Sequence, residues 1–291
     1  MGTQVLEQLL NGVLNGCIYA LVAVGLTLVY GILEVINVAH GELFMLGAFV
    51  TYFTYVRLGN YAAAVVAGIA ATALLGLVIE RCVFRPLQSQ PRIDSLIASV
   101  GLSLMFANGA LILWGGEPRF FKTPLATTIL TVGPLSFSAQ RLLVIAAALV
   151  LIAAMTLFLQ RTKLGKALRA SAQDLEACNL AGIDTRRLVA FAFALGAGLA
   201  GAAGALLSPL LVMTADMGLL AVLKAFAVVV VGGFGNIPGT VVAGFLMGIA
   251  ESLGGGFISA TYQDSIVFVI LALALLIRPT GLVRERLEEN I

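Results

Sequence analysis

Five side chains of this sequence could contact a polar solute, although they lie in glycine-rich and otherwise apolar stretches. The stretches are 30–49 and 231–252, and the side chains are Asn37, His40, Glu42, Asn236 and Glu251. An ionisable group inside a membrane is costly unless it is paired or hydrated, so such groups are candidates for function. We therefore predict that these five side chains line a polar path. A plainer interpretation stays open, in which Glu42 lies at a membrane boundary and His40 donates to a nearby carbonyl.

The same two stretches contain residues that weaken or end a helix. These are Gly41, Gly232, Gly233, Gly235, Pro238 and Gly239. Backbone freed in this way is tolerated at membrane depth only where it is buried in protein or lines a water-filled cavity. We predict two interrupted helices at a substrate path between two weakly similar parts of the chain. In the alternative interpretation, the glycines only allow helices to pack closely.

Motifs for other kinds of chemistry are missing from the sequence. One histidine cannot form an HExxH zinc site, and the three scattered cysteines contain no C-x-x-C pair. The run GGFGNIPG lacks the Gly-Lys-Ser/Thr ending of a phosphate-binding loop for ATP. We therefore expect no metal, no cofactor and no enzymatic activity, so that any ATP must be hydrolysed by another chain. Lys224 and Asp216 are interpreted as anchors at the membrane interface.

The composition indicates which class of protein positions these residues. Hydrophobic residues make up 60% of the 291 and charged residues 11%, and the mean hydropathy is +1.04. Soluble domains are about 45–50% apolar and about 25% charged. So few charges cannot cover a soluble surface. We predict an all-α polytopic membrane protein with a single transmembrane domain over residues 1–291.

Crossing segments follow from the length of the apolar runs, because a bilayer core needs about 20 apolar residues of helix. Six charge-poor runs of that length are present: 8–33, 35–56, 58–79, 95–114, 142–160 and 188–210. The segment 217–277 is interrupted by glycines and charges, and could hold one crossing with a re-entrant pair, or three crossings. We predict about seven to nine transmembrane or re-entrant helices around a central pathway.

The basic residues predict the orientation. Lys and Arg cluster after the third run, after the fifth run and near the end of the chain. Short loops rich in Lys and Arg stay on the cytoplasmic side. We therefore predict a cytoplasmic C-terminus, an extracytoplasmic N-terminus and an odd number of crossings.

The polar segment 161–187 carries six basic and three acidic side chains between two apolar runs. Its alanine spacing and Gly182 predict ordered amphipathic helices rather than a solvated linker. A helix that lies on lipid has a bulky apolar face with basic flanks, whereas this one has alanines and mixed charges. We predict that it docks on another protein, with Arg169, Asp174 and Glu176 available for contact.

Three segments resemble one family of transport proteins. GKALRASAQDLEACNLAGID, within 161–187, resembles the cytoplasmic coupling loop of ABC importer permeases. NVAHGE at 37–42 and GGFGNIPG at 232–239 resemble motifs of the permease family for branched-chain amino acids, in its smaller type. The similarity covers nearly the whole chain and leaves no room for a further domain.

This resemblance implies a function and a set of partners. It implies a subunit of an ATP-driven importer in the bacterial inner membrane, which receives leucine, isoleucine or valine from an extracytoplasmic binding protein. The expected partners are two ATP-binding subunits, a second homologous permease, the binding protein and the lipid bilayer, with no nucleic acid. The surface expected to couple to the ATP-binding subunit consists of Arg169, Asp174, Glu176, Gly182 and Asp184.

Other functions stay open from the sequence. Relatives in the same family carry urea, amides or other amino acids, and shared motifs do not separate these cargoes. An ion-coupled secondary transporter would also have broken helices, with Glu42 and Glu251 as its buried carboxylates. A passive channel would work alone, without a docking loop.

Overall fold

Long apolar runs of the sequence form long helices. The computed structural model describes residues 2–132 and 135–278. Within these residues, seven helices are long and apolar enough to cross a membrane: Gly2–Leu33, Tyr61–Leu87, Arg92–Trp114, Ala139–Arg161, Thr185–Leu210, Ile237–Phe257 and Ala260–Ile277. The prediction of an all-α polytopic membrane protein is confirmed.

The helices follow one another along the chain with short connections. They are α1 (Gly2–Leu33), α2 (His40–Leu58), α3 (Tyr61–Ile79), α4 (Arg85–Leu87), α5 (Arg92–Trp114), α6 (Pro124–Thr127), α7 (Ala139–Arg161), α8 (Lys163–Gln173), α9 (Leu175–Leu180), α10 (Thr185–Leu207), α11 (Met217–Gly232), α12 (Ile237–Phe257) and α13 (Gln263–Ile277). A five-residue π-helix, Glu80–Phe84, joins α3 to α4, and 3-10 turns at Ser208–Leu210 and Ala260–Tyr262 follow α10 and precede α13.

Two regions differ from the predicted spans. The run predicted as one span over 35–56 is helical only from His40, because the chain between α1 and α2 leaves the helical conformation at Glu34, whose φ is +54°. The uncertain segment 217–277 forms the three helices α11, α12 and α13. α11 has only 16 residues, which is shorter than the roughly 20 that a bilayer core requires.

α1 and α12 pack closely against each other because glycines remove side chains from their contact. A Cβ atom placed at Gly16 would lie 2.8 Å from the Cα of Phe245, and one placed at Gly248 would overlap the backbone of Gly16. Small residues at helix crossings allow close backbone approach, which is how helices associate in lipid. α1 and α10 are therefore largely buried, whereas α5 and α13 are mostly exposed.

A second group of close contacts joins α2, α3 and α10. A Cβ at Gly204 of α10 would overlap the carbonyl oxygen of Phe44, and one at Gly201 would overlap the side chain of Thr72. The Thr72 hydroxyl donates to the carbonyl of Gly68 at 2.9 Å, so it is satisfied within its own helix. α10 thus lies at the centre of the bundle, between α1 and the α2–α3 pair.

The segment between α5 and α7 contains a short hairpin that the sequence analysis did not predict. Strand β1 (Ile129–Val132) pairs antiparallel with strand β2 (Leu135–Ser138), with Ile129 opposite Ser138. Tyr61 connects this side of the bundle to α7, since the Gln140 amide donates to its hydroxyl at 2.9 Å. This hairpin is the one two-stranded sheet among the described residues.

Candidate functional site

The first interruption of the helices lies between α1 and α2, at residues 34–39. The Asn37 carbonyl accepts the backbone N–H of His40 at 3.2 Å in a short turn, and α2 begins directly after it. Glu34, at the exposed start of the interruption, forms an ion pair with Arg92 at the start of α5. The interruption therefore lies against α5.

Serines on α5 satisfy the polar backbone of this interruption. The Ser99 hydroxyl accepts the N–H of Val38 at 3.2 Å and lies 3.3 Å from the carbonyl oxygen of Ile36. One turn further along, the Ser103 hydroxyl donates to Glu42 Oε1 at 2.9 Å. Non-helical backbone at membrane depth needs such partners. The sequence analysis missed these serines, although their spacing of four residues in an apolar helix was a detectable pattern.

The three predicted path residues of the first stretch lie together at this interruption. Asn37, His40 and Glu42 are each only 1% exposed. His40 Nε2 lies 3.2 Å from the carbonyl oxygen of Val22 on α1, which ties the start of α2 to α1. Within the described part of the chain, Asn37 Oδ1 and Glu42 Oε2 have no hydrogen-bond partner. Buried acceptors without donors are rare in native proteins, so both oxygens require an explanation.

A second interruption faces the first, at residues 208–216 between α10 and α11. Its extended part forms an isolated antiparallel bridge, in which the backbone N–H groups of Arg119 and Met213 donate to each other's carbonyls at 2.9 and 2.8 Å. A Cβ at Gly41 would overlap the carbonyl oxygen of Gly218, so the first turns of α2 and α11 are in direct contact. The same order of elements thus occurs twice: a long helix, an interruption, a shorter helix and a further helix.

The glycine-rich motif at 232–239 occupies a different place. It is the tight turn between α11 and α12, in which Gly233 and Gly235 have φ values of +101° and +77°. Asn236 caps α12, since its Oδ1 accepts the N–H of Gly239 at 2.8 Å, and Pro238 lies in the first turn of α12. The residues predicted as the second interruption therefore form a turn, and the interruption whose following helix contacts Gly41 is 208–216.

The turn at 232–239 lies at the end of the bundle that carries α8. The rings of Tyr30 and Phe234 are 4.5 Å apart between their centroids. A Cβ built at Gly31 would lie 3.6 Å from the Cα of Gly235 and 3.8 Å from the Cβ of Ala172 on α8. This end of the bundle therefore brings together the end of α1, the start of α12 and the polar segment 161–187.

Glu251 belongs to a buried polar network rather than to the interruption. Lys224 Nζ lies 2.9 Å from Glu251 Oε1 and 2.6 Å from Asp264 Oδ1. The Tyr19 hydroxyl donates to Glu251 Oε2 at 2.6 Å and accepts from Lys224 Nζ at 2.9 Å. Lys224 is 6% exposed, so the interpretation of this residue as an interfacial anchor is wrong. The network joins α1, α11, α12 and α13.

The segment 161–187 forms two short helices that expose a surface. α8 lies on the bundle through Gly165, Leu168 and Ser171, whereas Arg169 points to solvent. On α9, Glu176 is exposed, and the Leu180 side chain is 91% exposed at the helix end. The surface of α8 and α9 therefore presents charged side chains together with an exposed leucine.

Three of the five predicted coupling residues also have a local structural role, at the ends of α9 and α10 and in the turn between them. Asp174 Oδ1 accepts the N–H of Ala177 at 2.8 Å and caps α9, and Asp184 Oδ1 accepts the N–H of Arg187 at 3.1 Å and caps α10. Gly182 has a φ of +80°, which glycine adopts without strain after a helix. These caps satisfy backbone N–H groups at the starts of α9 and α10, and Gly182 lets the chain turn between the two helices.

Comparison with known proteins gives consistent matches along the chain. The family model described as the permease component of the branched-chain amino acid transport system matches residues 8–277. The permease protein BraD of a high-affinity branched-chain amino acid transport system in Pseudomonas aeruginosa is 35% identical, with 95% of each chain covered. The corresponding LivH protein of Escherichia coli K12 is 34% identical, with 95% of this chain and 94% of LivH covered.

A more distant relative comes from an archaeon. The probable branched-chain amino acid transport permease protein LivH of Methanocaldococcus jannaschii is 27% identical and covers 95% of this chain and 92% of its own length. No solved structure matches this chain. The matches confirm the resemblance seen in the motifs. The chain belongs to the family of permease components of branched-chain amino acid transport systems.

Proposed function

We propose that this chain is the membrane-spanning permease subunit of an ATP-driven importer for leucine, isoleucine and valine. It works in the bacterial inner membrane with two ATP-binding subunits, a second homologous permease and an extracytoplasmic binding protein that delivers the amino acid. The segment 161–187 is cytoplasmic, and so is the C-terminus, while the N-terminus is extracytoplasmic. Family membership and the printed names of the relatives support the transport class and its cargo.

The observation that carries the proposal is the connection between the exposed surface of α8 and α9 and the transmembrane helices. α8 packs on α7, because Gly165 has no side chain to separate it from the backbone of Leu159. Ala172 on the same helix lies beside Gly31 at the end of α1. A movement imposed on α8 by a partner would therefore reach α1 directly. An effector shifts a conformational equilibrium only through contacts that differ between the states, and this surface is where such contacts form.

The path of the cargo runs past the two interruptions. Asn37 lies on the first interruption, His40 and Glu42 lie in the first turn of α2 that follows it, and Gly218 lies on the helix that follows the second interruption. Asn236 and Glu251 lie elsewhere, at the cap of α12 and in the network with Lys224. The side chain of Glu42 is buried here, so the path is closed at this point and must open for cargo to pass.

The experiment that tests the proposal combines purification and transport. The chain is tagged, extracted in mild detergent from its native membrane, and the associated proteins are identified. We expect two ATP-binding subunits and a second permease, and ATP-dependent uptake of leucine by the reconstituted complex. Recovery of the chain alone, together with solute flux in liposomes without ATP, would refute the proposal in favour of a channel.

Competition experiments separate the cargoes. Isoleucine and valine are expected to compete with leucine uptake, whereas urea and acetamide are expected not to compete. An ion-coupled mechanism predicts uptake that survives ATP depletion and requires a proton gradient. Of the two carboxylates available for ion coupling, Glu251 is paired with Lys224, which leaves Glu42 alone among them.

A further inference from the structure

Glu42 holds a carboxylate oxygen that is buried and unsatisfied. Its residue is 1% exposed. One oxygen, Oε1, accepts the Ser103 hydroxyl at 2.9 Å. The other, Oε2, has no hydrogen-bond partner among the residues that the structure describes. A buried carboxylate oxygen without a donor is costly, and ionisable groups at membrane depth are retained for a function.

The unsatisfied oxygen points at the start of α11. A Cβ placed at Gly218 would overlap Glu42 Oε2, so the carboxylate packs directly against the backbone of Gly218, and only glycine leaves it this space. Two residues earlier, Asp216 begins α11, and its exposed side chain makes no capping hydrogen bond. The approach of Glu42 to Gly218 thus brings two acidic residues to the point where the first turns of α2 and α11 meet.

Among the described residues, no Lys, Arg or His side chain forms an ion pair with Glu42 or Asp216. The ion pairs in the described ranges 2–132 and 135–278 involve other acidic residues, namely Glu34, Glu80, Asp184, Glu251 and Asp264. In those same ranges, no cluster of three or more His, Cys, Asp and Glu side chains could hold a metal ion. A partner that brings positive charge and hydrogen-bond donors would satisfy both Glu42 Oε2 and the neighbouring Asp216 carboxylate.

We propose that Glu42 and Asp216 receive the α-ammonium group of the cargo as it passes between α2 and α11. An ammonium group offers three N–H donors in a compact charge. Glu42 Oε2 and the Asp216 carboxylate accept two of them, while the Ser103 hydroxyl holds Glu42 in place through Oε1. This inference rests on the proposed function and narrows it, because it assigns the site to solutes with a primary ammonium group and excludes neutral amides.

The site would act during passage and not as a store for cargo. Glu42 is covered in the closed arrangement, whereas Asp216 is already exposed. Asp216 is therefore the first contact, and Glu42 becomes accessible only when α2 and α11 separate. A charge-assisted hydrogen bond that forms only while the cargo passes between α2 and α11 lowers the barrier to transport. It does so without binding the cargo tightly before or after passage.

The test uses the complete importer in proteoliposomes with saturating leucine-loaded binding protein outside. Uptake of radiolabelled leucine and ATP hydrolysis are measured in the same vesicles, for wild type, Glu42→Gln and Asp216→Asn. Glutamine keeps the shape of Glu42 and the acceptor for Ser103. We expect each substitution to lower the maximal rate of leucine uptake about 10-fold or more, the factor for losing one charge-assisted hydrogen bond. The melting temperature and ATP hydrolysis stimulated by the binding protein stay at the wild-type values.

Glu7→Gln is the matched control, because it makes the same chemical change at an exposed residue near the start of α1, away from both interruptions. It is expected to transport leucine at the wild-type rate. Wild-type uptake in Glu42→Gln overturns the inference, and so does a parallel loss of uptake and ATP hydrolysis, which indicates a structural role. Vesicles in which the wild-type complex fails to accumulate leucine refute the proposed function itself.

Discussion

Replacement of Lys224 by methionine tests the buried network most directly. Methionine keeps an unbranched apolar side chain but removes the ammonium group that contacts Glu251 Oε1 at 2.9 Å and Asp264 Oδ1 at 2.6 Å. Glu251, whose side chain is 2% exposed, then keeps only the donors of Tyr19 at 2.6 Å and Gln263 at 3.3 Å. An uncompensated buried carboxylate is left inside the membrane.

The expected cost follows from this burial. Breaking a buried ion pair by removing one partner costs about 3–5 kcal/mol, because the remaining charge is unpaired. The double variant Lys224→Met with Glu251→Gln removes both charges and keeps an acceptor for the Tyr19 hydroxyl. We expect the free energy of unfolding of this double variant to lie within about 1–2 kcal/mol of the wild-type value. Because the double variant costs less than Lys224→Met alone, the two sites are expected to couple by at least the difference between these costs, about 1–4 kcal/mol.

Asp264 provides the matched comparison within the same network. Its side chain is 55% exposed although it contacts the same ammonium group. Exposed ion pairs contribute only about 0–1 kcal/mol. Asp264→Asn is therefore expected to change the free energy of unfolding much less than Lys224→Met.

The assay is reversible unfolding of the purified protein by sodium dodecyl sulfate in mixed micelles, followed by circular dichroism and tryptophan fluorescence. Wild type, both single variants at 224 and 251, the double variant and Asp264→Asn are compared at one lipid-to-detergent ratio. Wild-type stability of Lys224→Met would refute the reasoning. So would a double variant as unstable as the sum of its single substitutions, since that result means that the two side chains do not interact.

Three further predictions concern the interruption, the helix packing and the coupling surface. Ser99→Ala leaves the N–H of Val38 without an acceptor and is expected to lower the free energy of unfolding in the same assay by about 1–3 kcal/mol. A decrease in the free energy of unfolding no larger than that of a surface substitution would show that Ser99 does not support the interruption. Gly248→Leu is expected to abolish the packing of α1 on α12, because a Cβ at Gly248 overlaps the backbone of Gly16. A Cβ at Gly109 meets nothing within 4 Å, so Gly109→Leu is expected to keep the wild-type yield and resistance to proteolysis in membranes. Equal yields of the two variants would contradict this packing. Gly182→Pro, or charge reversal of Arg169 together with Asp174, is expected to leave the protein inserted in the membrane while leucine uptake no longer follows ATP hydrolysis. Proline cannot adopt the φ of +80° found at position 182, whereas asparagine at this position is the tolerated control. Normal uptake in the proline variant would remove the assigned role of this surface.

α5 and the segment that follows it contact both interruptions. α5 holds the first interruption through Ser99 and Ser103. The segment after α5 holds the second, through the backbone bridge between Arg119 and Met213. α5 itself is mostly exposed on its other sides.

The sequence by itself determined the class of protein and the positions of most helices. Apolar runs of about 20 residues predict transmembrane helices because the bilayer sets their length, and this property depends only on local composition. The ordered helices in 161–187 were also predicted locally, from alanine spacing and Gly182. The motifs at 37–42 and 232–239 predicted the family, and the comparisons confirmed it. The functional roles of the individual path and coupling residues stay predictions.

Local pattern was insufficient where a residue's surroundings come from distant parts of the chain. The glycines at 232–239 predicted a helix interruption, yet they form a turn, because the same residue types serve both structures. The interruption at 208–216 contains no glycine and was missed. Its extended backbone is stabilised by Arg119, nearly a hundred residues away in sequence, and no local composition reveals such a partner.

Only the tertiary structure decided which polar groups meet. Lys224 was interpreted as an interfacial anchor, since one lysine among apolar residues has no visible partner in the sequence. Folding brings it to Glu251 and to Tyr19, a residue 205 positions away. Glu42 likewise reaches Ser103, 61 positions away, and leaves one oxygen unsatisfied beside Gly218. Hydrophobic burial depends on how much apolar sequence is present, whereas hydrogen bonds and ion pairs depend on short distances and directions that exist only once the helices are packed.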